Sequence, residues 1–273
     1  MFDGSDRTGI AVAGCCDDAT IAGMGLTIHY SLKAGVRTFE QAKALVRDIH
    51  AAASEWPFDY VGPVIDVPEG TILPDFPPGP PDVRRHVPRG IGFAPITVDG
   101  DIRYEYVKPI EHVAFVTDPG GSEWAEFGLA RYPATVDMDG RDFPSGLNGW
   151  RWRGFCKTQY ASDPNHGGIR NFLRCHLGLV HVLDRAKELG ILDHASDEGN
   201  YWEKRDLAAL VREVSRWNTA IAGIVGRMQD DLEKAGLDRN GIVAAIKNFP
   251  DFERLEAEGR NRASADEEGE EGL

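Results

Sequence analysis

Near Met24 the chain takes on a two-residue rhythm: Leu26, Ile28 and Tyr30 alternate with Thr27, His29 and Ser31, the period of a half-buried strand. Thr38 with Gln41 three residues on makes a capping box. Phe39, Ala42, Leu45, Val46, Ile49 and Ala52 then recur at helical spacing, which predicts a helix over 38–54. Strand character returns over 59–67. The stretch from Pro68 to Pro95 is dense in proline, which donates no amide to a ladder, and predicts a long surface excursion without regular pairing. It is either an ordered lid-like loop or a flexible insertion. Strands resume over 102–107, 112–117 and 128–136, parted by Asp118-Pro119-Gly120-Gly121 and Asp139-Gly140, in the pattern of an antiparallel meander.

From Trp150 to Gln159 the alternation is strict. Trp150, Trp152, Gly154, Cys156 and Thr158 fall on one side, and Arg151, Arg153, Phe155, Lys157 and Gln159 on the other, so one face meets the core and the other is cationic. Asn171 is a suitable N-cap for the next helix and Gly190 a suitable stop. His176 lies within that helix's apolar stripe of Phe172, Cys175, Leu179, Val182 and Leu183, while His181 points to the polar side. A turn at 196–202 leads to the longest helix, 206–233, capped by Asp206 or Asn200, and two short helices follow at 238–247 and 250–259. The elements together predict an α+β fold: a mixed or largely antiparallel sheet covered on one side by helices, with a Pro-rich excursion and a helical C-terminal part. Residues 1–23 form a leader without periodicity, 24–262 a single domain, and 263–273 a disordered acidic tail.

Composition narrows the classes. The 273 residues are 42% hydrophobic and carry a formal charge of -14, with acid concentrated at both ends. An acidic body opposes general binding to a phosphate backbone, so no nucleic-acid partner is expected. No apolar run is long enough to cross a bilayer, and Cys15, Cys16, Cys156 and Cys175 form neither a CxxC pair nor a disulfide framework, which fits a cytoplasmic protein.

Three constellations could carry chemistry. A metal site would draw on His29, Cys156, Cys175, His176, His181, His194, Asp197 and Glu198, but His176 and His181 are five apart and HExxH is absent, so no metal or cofactor is expected. A cysteine nucleophile would pair Cys156 with His176 and Asp197; the alternation places Cys156 on the tryptophan side, where an inert buried thiol is the plainer reading. The third set is the broadest. Arg153, Lys157, Gln159, Arg174 and Glu203 are candidate ligand-binding residues, because a cationic strand beside a helix N-terminus and the Gly167-Gly168 loop suits a small anion. Lys157, His176, Asp197 and Glu198 are the candidate catalytic residues of the same region. A salt-bridge network fastening the 196–203 turn to the sheet accounts for the same residues without a ligand.

The segments MGLTIHYSL (24–32), RGFCKTQYAS (153–162), NFLRCHL (171–177), SDEGNYWEKRD (196–206) and the pair Trp217-Asn218 together resemble a family of uncharacterised bacterial proteins. The resemblance spans roughly 24–231 and implies no activity, substrate or cofactor. The residues leave two functions open: a non-catalytic binding or accessory protein for a partner or small anionic ligand, and a small-molecule hydrolase or transferase built on Lys157, His176, Asp197 and Glu198. An enzyme calls for a closed polar pocket, a binding protein for an open patch.

Overall fold

The computed structural model describes residues 26–73, 81–98, 101–138 and 140–219. The leader 1–23, the tail 263–273 and the two short helices expected at 238–247 and 250–259 lie outside the described residues. The fold is α+β. Strands β1 (Thr27–Ala34), β2 (Tyr60–Val61), β3 (Ile65–Val67), β6 (Glu111–Asp118), β7 (Ala125–Arg131), β10 (Trp150–Lys157) and β11 (Leu192–Asp197) form a seven-stranded sheet in the order β11-β1-β10-β7-β6-β2, with β3 also on β6. Every neighbouring pair is antiparallel. Two hairpins stand off this sheet: β4 (Gly92–Val98) with β5 (Asp101–Val107), and β8 (Thr135–Met138) with β9 (Arg141–Pro144).

Helix α1 (Phe39–Glu55) begins at the expected capping box, with Thr38 accepting from the Gln41 amide and the Gln41 side chain reaching back to the cap. Its buried stripe of Ala42, Val46, Ile49 and Ala53 lies on the sheet and against helix α2 (Gly168–Glu188). On that sheet face Phe115 meets His50 of α1 edge-on, Trp150 meets Phe39, and Tyr30, Phe127 and Phe115 stack in sequence. Helix α3 (Tyr201–Lys204) and helix α4, described over 207–219, close the end of the layer. Asp206 caps α4 through its side chain on the Ala209 amide, and Leu210 and Val214 bury against Leu26, Ala161, Phe172 and Cys175.

Three expectations are corrected. Proline does not exclude pairing in the excursion: Pro95 sits within β4 opposite Tyr104, as a two-stranded ribbon allows, because each strand keeps one unpaired edge for the missing N–H. The described part of the excursion also covers the second face of β6 and β7, where Nε2 of His112 bonds the Pro88 carbonyl at 2.9 Å and the Tyr132 hydroxyl donates to Gly90 at 2.8 Å. Asn171 does not cap α2. The helix starts three residues earlier, after Gly167 at φ 101 has turned the chain, and Asn171 instead donates its amide to the Gly120 and Ala161 carbonyls. Finally, β11 takes up the first two residues of the turn expected at 196–202, since an edge strand reading LDHASD has no apolar alternation to betray it.

The sheet is not evenly closed. β7 and β10 pair at Trp150–Arg131 and Arg151–Ala130 and then part. Tyr30 and Trp152 fill the opening, and both the Tyr30 hydroxyl (2.7 Å) and the Trp152 indole N–H (2.9 Å) donate to the Glu126 carbonyl, which would otherwise lack a ladder partner. Burial keeps the Tyr30 phenol protonated far above its ordinary range, so it stays a donor. Gly154 makes room: a Cβ there would lie 2.5 Å from Tyr30 Cε2.

Candidate functional site

The ends of β1, β10 and β11 meet the first turns of α2 and the 198–204 turn, and most of the candidate residues gather there. Their roles divide by sheet face. Inside, His176 is 0% and Asp197 5% exposed. The Asp197 carboxylate accepts from Nε2 of His176 (3.0 Å) and from the amides of Gly199 (2.7 Å), Tyr201 (2.8 Å) and Trp202 (3.0 Å). Asn200 takes a left-handed φ of 57 so that the chain can wrap these amides around one carboxylate. Burial pushes the Asp197 pKa up, but the hydrogen bond and charge of His176 together with the amides outweigh it and hold the carboxyl below its usual range.

The relay continues on the far side of the ring. Nδ1 of His176 lies 2.9 Å from the Thr158 hydroxyl, which also lies 3.2 Å from the Leu26 carbonyl. Thr158 has one proton for two acceptors. Given to Leu26, it requires a proton on Nδ1 and an imidazolium facing Asp197; given to Nδ1, it leaves the ring neutral. Phe172 and Tyr201 pack against the imidazole, and Thr158 is fully buried, so no hydroxyl of this chain of groups reaches solvent as a nucleophile.

Two further candidates clamp the start of β1. The Gln159 side chain accepts from the Leu26 amide (3.1 Å) while the Gln159 amide donates to the Leu26 carbonyl, and on the opposite side Glu198 does the same for Thr27, accepting at 2.8 Å through Oε2. Both side chains thereby extend strand pairing by one residue. Arg174 is equally committed: it bonds Asn171 Oδ1, the Pro57 carbonyl and Asp59. The cysteines follow suit. Burial drives the Cys156 thiol far up and the Cys175 thiol to about 12, and each donates to backbone carbonyls, Cys156 to Glu123 and Cys175 to Pro119.

Lys157 is not brought to Asp197. It stands in register with Thr27, and Asp197 with Ile28, so the two are separated by the sheet itself although only β1 lies between their strands. Lys157 instead rests over the exposed Tyr160 ring, 5.0 Å from its centroid. Glu203 is exposed on α3, away from the buried relay. The predicted convergence of cations and acids in one pocket is thus replaced by a sealed acid-base relay on one face and a basic surface on the other.

That outer face was legible only in part. Cross-strand rows set His29 beside Phe155 and Ser196, Ser31 beside Arg153 and His194, and Lys33 directly opposite Arg151. Phe155 is 58% and Tyr160 52% exposed. Nothing in the sequence set Lys33, His29 or Tyr160 beside the β10 cations, since only register could place them there. Asp193, bonded to Ser31 at 3.4 Å, marks the acidic edge of the patch. Among the described residues no group of three or more metal-ligating side chains comes together, and no helix is long and apolar enough to cross a membrane. Neither a protein-family model, nor a curated protein, nor a solved structure matches the chain.

Proposed function

We propose that the protein is a non-catalytic binding protein whose outer β1–β10 face takes an acidic segment of a protein partner. One observation carries this: Lys33 and Arg151 face each other across the ladder, with Arg153 beside them and Phe155 exposed in the next row. Like charges directly opposite destabilise a sheet, so the arrangement is costly to the fold alone and becomes favourable when a carboxylate bridges the pair. The exposed Phe155 and Tyr160 rings add apolar area to a contact that charge orients. A row of exposed side chains along two strands suits an extended chain, whereas a small anion needs a concave site.

The hydrolase or transferase reading loses its support at the same place. Its His176 and Asp197 are sealed, and its Lys157 and Glu198 serve on other faces and bonds. A fluorescein-labelled deca-glutamate peptide tests the binding reading by anisotropy. The peptide should bind at low salt and weaken roughly tenfold or more on going to about 0.3 M NaCl. Arg153→Glu and Lys33→Glu should each abolish binding without lowering the melting temperature. Equal binding by both variants, or tighter binding of an oligo-dT of the same length, would overturn it.

A further inference from the structure

The β4–β5 ribbon has a second surface with no role in the reading above. Its inner face, Ala94, Ile96 and Val107, belongs to the main core. Its outer face runs Phe93, Pro95 and Thr97 on β4 opposite Tyr106, Tyr104 and Ile102 on β5. Ile91 continues the stripe at the β4 end. The exposed fractions are large: Ile102 63%, Tyr106 61%, Ile91 43%, Tyr104 42% and Phe93 39%. Phe93 and Tyr106 are in ring contact at 5.0 Å between centroids, so the stripe is a continuous aromatic and aliphatic surface with no charged member.

We infer that this face is a self-association surface, on which a second copy of the chain packs its own β4–β5 ribbon face to face. Three observations select that occupant. The exposed parts of the five side chains come to about 500 Å² at the areas such residues carry, at the upper end of what a monomer leaves open. Doubled across a two-fold axis this reaches about 1,000 Å², the lower bound for a specific contact and the size of a weak, concentration-dependent dimer. Second, the stripe is uncharged. A cationic or acidic partner would gain nothing from it, whereas a second copy meets only its own apolar row. Third, Pro95 removes the N–H at the centre of β4, which blocks extended strand addition along the β4 edge and with it one competing route of contact.

Charge sets the sign of the salt effect. Two copies of a chain carrying -14 repel one another, so screening should strengthen the dimer, the reverse of the acidic-peptide contact. The test is sedimentation velocity on the full chain, from low micromolar to about 200 µM, in about 50 mM and 500 mM NaCl. The 30.0 kDa monomer should convert to a species of twice that mass, with a dissociation constant several-fold lower at high salt. Ile102→Asp and Tyr106→Glu should each weaken association at least tenfold. Because both side chains are mostly exposed, the variants should melt with the wild-type chain at concentrations where it is monomeric. A monomer under every condition would overturn the inference and leave the stripe to a different protein. A dimer that persists in both variants would overturn it equally, by placing the contact elsewhere.

Discussion

At the scale of single residues, Asp197 bears more of the fold than any other polar group at this end of the sheet. Four N–H groups converge on it, and an amide side chain could satisfy no more than part of them, because its NH2 would face donors. Asp197→Asn should therefore destabilise by about 3–5 kcal/mol at neutral pH, the cost of breaking a buried, hydrogen-bonded charge. The pH dependence has a definite sign. A carboxyl held below its usual range contributes stability that is fully present above the unfolded-state value near 4 and is lost as pH falls through the lower folded value. Urea unfolding at a series of pH values should show the gap between wild type and variant widest at neutral pH and narrowing below about pH 4. A gap independent of pH would mean that Asp197 is not ionised in the folded chain. His176 was visible in the sequence as a histidine on an apolar stripe, and Asp197 as the group that would orient its ring; the second partner, Thr158, was not, because eighteen positions separate it from His176 along the chain and a threonine on a strand carries no mark of that contact.

At the scale of elements, α2 is seated by the absence of a side chain. A Cβ at Gly178 would come 2.5 Å from Trp56 Cδ1 and 2.5 Å from Phe58 Cε1, and the Trp56 indole donates to the Arg174 carbonyl one turn earlier at 2.9 Å. Helix propensity alone favours Gly178→Ala by about 1 kcal/mol. The clash should prevail, giving a net loss of at least about 1–2 kcal/mol in a thermal melt, the usual range for overpacking. The end of α3 presents the opposite balance. Arg205 adopts φ 53, which costs a residue with a side chain about 1 kcal/mol, yet it forks onto Asp184 at 2.6 and 2.8 Å and lies 4.6 Å from the Trp202 ring. Arg205→Gly should accordingly be more stable than Arg205→Ala by about 1 kcal/mol, since both lose the contacts and only glycine relieves the backbone. Chemical denaturation of the two variants side by side decides it; equal stabilities would remove the strain argument.

For the whole molecule, the joint between β7 and β10 connects the β11-β1-β10 half of the sheet to the β7-β6-β2 half, and two side chains stand in for the missing ladder there. Tyr30 and Trp152 donate to the same Glu126 carbonyl, so losing one donor leaves it satisfied. Tyr30→Phe and Trp152→Phe should each affect this joint modestly, and the double variant should cost about 1–2 kcal/mol more than their sum, as an unpaired buried carbonyl demands. Additive losses in urea melts would mean that the two donors act independently. Local patterns were enough for much of this architecture: the Thr38–Gln41 capping box, the alternation of Trp150 to Lys157 and the Gly190 stop are written in neighbouring residues, where sterics and hydrogen bonding act over a few positions. From those the helices, the antiparallel meander and the α+β class follow. The placing of β1 between β10 and the edge strand β11 depends on pairing between residues more than a hundred positions apart, the parting of β7 from β10 on side chains brought in from β1, and LDHASD carries no period that could announce its strand. The site shows the same division. Residue type marked Lys157, His176, Asp197 and Glu198 as chemically capable, but which of them meet is a matter of strand register, and a shift of one residue between Thr27 and Ile28 is what sends Lys157 to the solvent face and Asp197 into the core.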